Sequence, residues 1–327
     1  MMLALDQLSP AATSALTVLG ALWCLDVTRR VASLLWLHLR PSSLDRYLLT
    51  SSGKPGWALV TGATGGMGAT FAHELASRGF NVVLHGRSSD KLRRLHDKLA
   101  AAHPSRKFRT VVIDAFAAAT AGGSVSDGWL ASLQHDDDVN LTVLVNNAGG
   151  AIEETRGTFD VMPADRLIND MALNALFPML LIRQVIPLLE RSGRGLILNI
   201  GSLADVGMPT LGSYPGSKSA MVTLATQLNR EMMLSGLDIE VLHTEFGAVY
   251  HETQTVVQKP GFLEPEAEYV VRAALGKVGC GRPVVVAHWA HALGSSALAF
   301  LPRFVLDRIF VGLARDLHMV DLNLKKD

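Results

Sequence analysis

The sequence predicts an α/β fold with a doubly wound parallel sheet, and three observations lead to this prediction. Six short apolar segments typical of strands alternate with segments of helical periodicity between residues 57 and 243. A glycine-rich stretch follows the first of these strands and opens the first helix. Hydrophobic residues make up 49% of the 327 residues and charged residues only 18%, which is enough apolar material for a large core.

The predicted elements follow one another in a regular order. Strands are predicted at residues 57–60, 81–84, 110–113, 141–145, 196–200 and 239–243. Helices are predicted at residues 67–77, 90–102, 165–191 and 214–235, with a poorly defined helix within 115–138. Gly79 and Gly236 are placed to end two of these helices. In a Rossmann-like sheet of this kind, ligands bind beyond the carboxyl ends of the strands.

The regions outside this series suggest four parts: a hydrophobic segment (1–40), a linker rich in Pro, Ser and Gly (41–56), the main domain (57–287) and an apolar helical tail (288–327). No residue from Ala11 to Leu25 is charged, whereas Arg29, Arg30 and Arg40 follow on the C-terminal side. This asymmetry predicts a membrane anchor with the main domain in the cytosol. The alternative is a pair of helices packed on the domain.

The tail and the segment before it allow several interpretations. The apolar and basic residues of the tail fit a membrane-surface helix, a cover over the substrate entrance or a dimer contact. His288 and His291 lie three residues apart, which alone does not make a metal site, and no metal is predicted. The segment between His251 and Glu268 is predicted to be a mobile lid.

The balance of charge and the number of cysteines argue against two classes of protein, nucleic-acid-binding proteins and disulfide-stabilised domains. Thirty basic residues balance thirty acidic ones without a basic stripe, which argues against nucleic-acid binding. The two cysteines, Cys24 and Cys280, do not form a disulfide framework, so a reducing compartment is the simpler interpretation.

The glycine-rich stretch predicts a nucleotide site. Residues 61–68 read Thr-Gly-x-x-x-Gly-x-Gly, and the positions expected to contact a cofactor are Gly62, Thr64, Gly66, Met67 and Gly68. Glycines allow the backbone to approach a pyrophosphate, and the following helix supplies free N–H groups.

The second strand decides between the two nicotinamide cofactors. It ends in His85-Gly86-Arg87-Ser88, without the acid that binds the ribose hydroxyls of NAD. The Arg87 guanidinium suits a 2′-phosphate, so the sequence favours NADP(H). The alternative is that Arg87 is an ordinary surface charge.

A tyrosine and a lysine supply the candidate chemistry. Tyr214 and Lys218 are four residues apart, which places them on one face of a helix. The ammonium is expected to lower the pKa of the phenol and to prepare it for proton transfer. Ser202 lies twelve residues upstream of Tyr214, at the end of a strand, where its hydroxyl can bind a substrate carbonyl.

With these motifs in this order, the chain from Lys54 to Ala287 resembles the short-chain dehydrogenase/reductase family. The resemblance implies a catalytic set of Asn174, Ser202, Tyr214 and Lys218 and transfer of a hydride from NADPH to a ketone, with Tyr214 as proton donor. It also implies cofactor contacts from the last two of these residues, and from Asp114, Asn146 and Val249.

Within this family the chain resembles a membrane-bound branch that contains very-long-chain 3-oxoacyl-CoA reductases and 17β-hydroxysteroid dehydrogenases. The resemblance implies an endoplasmic-reticulum membrane, a long apolar carbonyl substrate and a homodimer. Two alternatives stay open: the same chemistry on a steroid or specialised metabolite, and a catalytically silent membrane scaffold. The sequence departs from the family at Phe246-Gly247, at His251, with Thr253 nearby, and in a Ser202–Tyr214 gap one residue shorter than usual.

Overall fold

A computed structural model describes residues 9–120, 138–150, 157–250, 261–262 and 264–316, and the chain divides into two compact units, Met1–Pro41 and Ser42–Asp327. The first unit contains one continuous helix, α1 (Pro10–Leu39), rather than a helix pair. Ser9 caps it, and its charged middle is paired internally, because Asp26 binds Arg29 and Arg30. Its length and composition suffice to cross a membrane.

The described residues of the second unit contain seven strands: β1 (Gly56–Val60), β2 (Asn81–Gly86), β3 (Phe108–Val112), β4 (Asn140–Asn146), β5 (Gly195–Ile200), β6 (Ile239–Glu245) and β7 (Val284–Val286). Its helices are α2 (Gly66–Ser77), α3 (Ser89–Ala102), α4 (Ala115–Thr120), α5 (Ala164–Met171), α6 (Phe177–Arg191), α7 (Tyr214–Ser235), α8 (Ala267–Gly276), α9 (Trp289–Leu298) and α10 (Arg303–Asp316).

The strands form one parallel sheet in the order β3-β2-β1-β4-β5-β6-β7. The strand order reverses between β1 and β4, and this switch point is where open α/β sheets bind ligands. The doubly wound parallel fold is therefore confirmed, as are the apolar N-terminal helix and the helical tail. The prediction of six strands was one short, because β7 has only three residues and directly follows Arg282-Pro283.

One predicted helix is interrupted. Residues 165–191 were expected to form a single helix, but a π-helical turn (Ala172–Leu176) separates α5 from α6. The extra residue of a π turn has no signature in the apolar periodicity, and such turns are frequent at functional sites. Asn174 lies in this turn. The helical segment Ala164–Arg191 is apolar enough to cross a membrane, but 56% of its most apolar stretch is buried, as expected of a core helix.

The segment expected to be a linker is part of the globular unit. Leu44 and Tyr47, in a short 3₁₀ helix (Leu44–Tyr47), are fully buried, and the Tyr47 hydroxyl donates to Glu240 Oε2 at 2.8 Å. Arg46 pairs with Asp238 at 2.7 Å. The Pro, Ser and Gly content of this segment makes turns, but its apolar residues complete the core near β6.

Candidate active site

A cleft with a volume of about 860 Å³ lies beyond the carboxyl ends of β1, β4 and β5. Of the predicted site residues, all but Asn146 and Asn174 line this cleft. The lining also contains the backbone of Asn147–Gly150, the end of β2 and the turn after β6. The candidate nucleotide and catalytic positions therefore share one cavity.

The glycine-rich loop packs too closely for side chains. Gly62 has a φ of +62°, and a Cβ there would lie 2.9 Å from Cα of Ala148. A Cβ at Gly68 would collide with the carbonyl oxygen of Gly62. The N-cap of α2 is Gly65, which has no side chain to occupy the first N–H groups of the helix. These donors are suited to a phosphate group.

The loop is held by two residues that were not among the expected cofactor contacts. Oγ1 of Thr61 accepts from the backbone N–H groups of Asn147 and Ala148, both at 2.9 Å. The carboxamide of Asn147 donates to Thr61 O at 2.9 Å. The two switch-point strands thereby fix the glycine-rich loop against the chain that follows β4.

Asn146 does not contact the cleft. It is buried, and its Nδ2 donates to Oδ1 of Asn199 on β5 at 2.9 Å. Because side chains alternate along a strand, Asn146 faces the core while Asn147 reaches the cleft. Asn147 rather than Asn146 therefore lines the cleft, and Asn146 instead joins β4 to β5.

The far end of the cleft contains Arg87 and Asp114. Arg87 is exposed at the end of β2. The Asp114 carboxylate accepts from the backbone N–H groups of Phe116 at 2.9 Å and Ala117 at 3.1 Å, so it caps α4 while lining the cleft. His85 is a further lining residue that the sequence did not reveal. Its Nδ1 accepts from Gly62 N–H at 3.4 Å, and burial lowers its pKa to about 4.

One end of the cleft, the candidate catalytic end, brings together Ser202, Tyr214 and Lys218. Nζ of Lys218 lies 5.6 Å from the centre of the Tyr214 ring and donates to Ile200 O at 2.9 Å. The Ser202 hydroxyl is hydrogen-bonded to Tyr214. Ser202 Oγ also accepts from Ala204 N–H at 3.2 Å, which fixes the turn after β5.

The expected lowering of the Tyr214 pKa was wrong for this state of the protein. Burial raises the pKa of Tyr214; the hydrogen bond with Ser202 opposes this, and Asp170 and Asp205 add to it. Burial also lowers the pKa of Lys218 to about 8. Desolvation outweighs the attraction that the four-residue spacing suggested, because the ammonium is directed at Ile200 O.

Asn174 lies behind the cleft rather than in its wall. Its Oδ1 accepts from Gly150 N–H at 2.8 Å, and its Nδ2 donates to Asp170 O at 3.0 Å. A Cβ on Gly149 would overlap Oδ1 of Asn174 and lie 3.8 Å from Nζ of Lys218. Asn174 therefore supports the backbone that passes in front of Lys218.

Three further groups of ionisable residues surround the catalytic end. Asp170 lines the cleft and pairs with the buried Arg166 at 3.0 Å. Glu245, at the end of β6, is hydrogen-bonded to Asp205; burial, followed by the charge of Asp205 and this hydrogen bond, raises the pKa of Glu245 to about 8. His243 is fully buried, and burial together with the Lys218 charge lowers its pKa to about 3.

The turn after β6 is fixed by the C-terminal part of the chain. Nδ1 of His291, in α9, accepts from Gly247 N–H at 3.1 Å, and Val249 lines the cleft just beyond. His291 thus has a structural partner, and the described residues contain no cluster of three potential metal ligands. His251, Thr253 and most of the expected lid lie outside the described residues.

Comparisons with known proteins agree with this geometry. The family model for short chain dehydrogenase matches residues 56–260. The very-long-chain 3-oxoacyl-CoA reductase of Pyricularia oryzae is 32% identical over 285 residues, which cover 85% of this chain and 82% of that protein. The protein of the same name from Neurospora crassa is 33% identical over 288 residues, with coverages of 85% and 82%.

A solved structure extends the likeness to the fold. A short-chain dehydrogenase from Sphingobium yanoikuyae in complex with NADPH has a TM-score of 0.60 and 26% sequence identity to this chain. The match covers 80% of this chain and 96% of that one.

Proposed function

Because the chain belongs to the short-chain dehydrogenase family and is an oxidoreductase of CH–OH and C=O groups, we propose that it uses NADPH to reduce the ketone of an apolar 3-oxoacyl thioester. One observation carries this proposal: Ser202, Tyr214 and Lys218 lie together at one end of the cleft. Another part of the same cleft is lined by the glycine-rich loop 62–68, which we call the glycine cradle.

The cradle fits a dinucleotide phosphate. Side chains are excluded at Gly62 and Gly68, and the open N-terminus of α2 faces the cleft. We expect Arg87 to bind the 2′-phosphate, and Asp114 and Val249 line the same cavity. When bound there, the cofactor supplies the hydride.

The chain's own residues manage the proton and the developing charge. Ser202 donates a hydrogen bond to the carbonyl oxygen, and Tyr214 donates the proton that the oxygen needs as the hydride arrives. With a pKa at or above the ordinary value near 10, the Tyr214 phenol is protonated at neutral pH and carries the proton that it donates. The Lys218 ammonium then stabilises the tyrosinate, and Asn174 holds the backbone beside Lys218.

The substrate class follows from the relatives. Two proteins at 32% and 33% identity, each matched over most of its length, are named very-long-chain 3-oxoacyl-CoA reductase. An apolar substrate also suits a chain with a helix able to cross a membrane. We place the protein at the endoplasmic-reticulum membrane, with the catalytic unit in the cytosol and a homodimer as its expected state.

The test is NADPH oxidation by detergent-solubilised protein against a panel of 3-oxoacyl thioesters, steroid ketones and other apolar ketones. Tyr214→Phe should lower kcat at least about 100-fold, because it removes the general acid. Tyr269→Phe is the matched control, since Tyr269 is 61% exposed on α8. Preference for a steroid would change the substrate class. NADPH binding without any turnover would favour the silent scaffold.

A further inference from the structure

Three polar side chains lie in one row across the centre of the sheet. Asn146 on β4 is in register with Asn199 on β5, which is in register with His243 on β6. Residues in register on parallel strands face the same side, so these side chains are neighbours. Ile197 and Val241, two residues earlier on β5 and β6, belong to the core formed with α6 and α7. The row therefore faces the side of the sheet that α7 covers.

The row contains donors and acceptors that have no hydrogen-bond partner among the described residues. Asn146 uses its Nδ2 to bind Oδ1 of Asn199 at 2.9 Å. Within the part of the chain that the structure describes, Nδ2 of Asn199 and both ring nitrogens of His243 have no hydrogen-bond partner. His243 is 0% exposed and Asn199 is 1% exposed. Buried polar groups of this kind are usually satisfied by an internal water molecule with two to four partners.

The unsatisfied groups lie beside Lys218. The imidazole of His243 packs directly against Gly201, where a Cβ would overlap Nε2 of the ring. Lys218 Nζ binds the carbonyl oxygen of Ile200, the residue before Gly201. His243 and Lys218 are close enough for the ammonium charge to act on the imidazole. Burial, with the Lys218 charge, lowers the pKa of His243 to about 3, so the imidazole is neutral and keeps one ring nitrogen as an acceptor.

We propose that Lys218, Asn199 and His243 bind one internal water molecule and that His243 thereby positions the Lys218 ammonium, a role that rests on the proposed function. The ammonium and the Asn199 carboxamide donate to the water oxygen, and the water donates to the free ring nitrogen of His243. The water then makes three hydrogen bonds, which is typical of an internal site. The arrangement uses the donors of Lys218 that are not directed at Ile200.

This arrangement makes the pKa of Lys218 depend on His243, a neutral residue of the sheet. A hydrogen-bonded water stabilises the charged form of Lys218, so losing the acceptor lowers the lysine pKa further below its present value of about 8. The other ionisable groups at this end of the cleft are Tyr214 on the same helix, Asp170 and Asp205, whose charges act on Tyr214, and Glu245 on β6, which is hydrogen-bonded to Asp205. Glu245 is engaged by Asp205, so His243 is the acceptor that the proposal assigns to this water.

The kinetic test compares two replacements of His243. His243→Leu removes the acceptor at similar volume, whereas His243→Gln keeps an amide oxygen. In the full-length, detergent-solubilised enzyme, the alkaline limb of kcat against pH should move about one pH unit lower in His243→Leu and only a few tenths in His243→Gln. His96→Leu is the control, since His96 lies on α3 away from the cleft and its side chain is 37% exposed. Coincident profiles for His243→Leu and wild type would overturn the proposal.

A crystallographic test is independent of turnover and of how well the leucine variant folds. A high-resolution structure of the wild-type protein should show a water molecule within hydrogen-bond distance of Lys218 Nζ, Asn199 Nδ2 and a ring nitrogen of His243. The same water should be present in His243→Gln. A wild-type structure without this water refutes the inference even if the enzyme reduces ketones. Inactivity of a wild-type enzyme that holds the water refutes only the proposed function.

Discussion

The substitution Gly68→Ala has two opposing effects on stability: a steric clash destabilises the protein, and the higher helix propensity of alanine stabilises it. Alanine in place of glycine inside a helix ordinarily stabilises by about 1 kcal/mol. In α2, however, the new Cβ would lie 2.7 Å from Nδ2 of Asn147 and even closer to the carbonyl oxygen of Gly62. Neither neighbour can retreat easily, because Asn147 is bound to Thr61 and Gly62 is backbone.

The magnitudes decide the direction of the effect. Overpacking of a close contact costs about 1–3 kcal/mol, and this contact involves backbone, so we take the upper part of that range. After subtracting the helix gain, a net cost of about 1–2 kcal/mol remains. Because α2 must shift away from the loop to relieve the clash, NADPH affinity should also fall by at least about tenfold, equivalent to roughly 1.4 kcal/mol.

The assay is a fluorescence titration of NADPH together with a thermal melt. Gly276→Ala provides the control, since a Cβ at that helical position meets nothing within 4 Å. The control should bind NADPH as wild type does and melt at the same or a higher temperature. If Gly68→Ala binds NADPH with wild-type affinity and melts no lower than wild type, the steric account of the cradle is wrong.

Two further predictions concern charge. Arg87→Ser should raise the KM for NADPH at least about tenfold and leave the KM for NADH nearly unchanged, since only NADPH carries the 2′-phosphate; equal changes for both cofactors would exclude a phosphate contact. Glu245→Gln should flatten the fall in the free energy of unfolding with rising pH. The pKa of Glu245 is raised to about 8, so the folded state loses stability as pH rises from the ordinary carboxyl range through that value. Melting temperatures between pH 5 and about pH 9 test this, with the exposed Glu190→Gln as control; parallel curves for Glu245→Gln and wild type contradict it.

The order of strands and helices was predictable because it depends on local features. The apolar runs in the sequence correspond to six of the seven strands in the described residues. The predicted end of a helix at Gly236 is also found, since Gly236 ends α7 with a φ of +67°. The three-residue β7 and the π turn around Asn174 were missed, since neither leaves a recognisable periodicity. Composition likewise misrepresented residues 41–56, where Tyr47 is buried by residues far along the chain.

For the site, the sequence by itself determined which reactive groups are present and on which elements they lie. The glycine spacing, Arg87 and the Tyr214–Lys218 pair are local patterns, and the structure brings them to one cleft. Only the tertiary structure decided what surrounds them: that Asn146 faces Asn199, that His291 holds Gly247, and that His243 packs on Gly201 beneath Lys218. The sign of the Tyr214 pKa shift also depends on burial, which arises from residues distant in sequence. Spacing along the chain specifies neither desolvation nor cross-strand neighbours, because both are set by how the strands pair and which helices cover them.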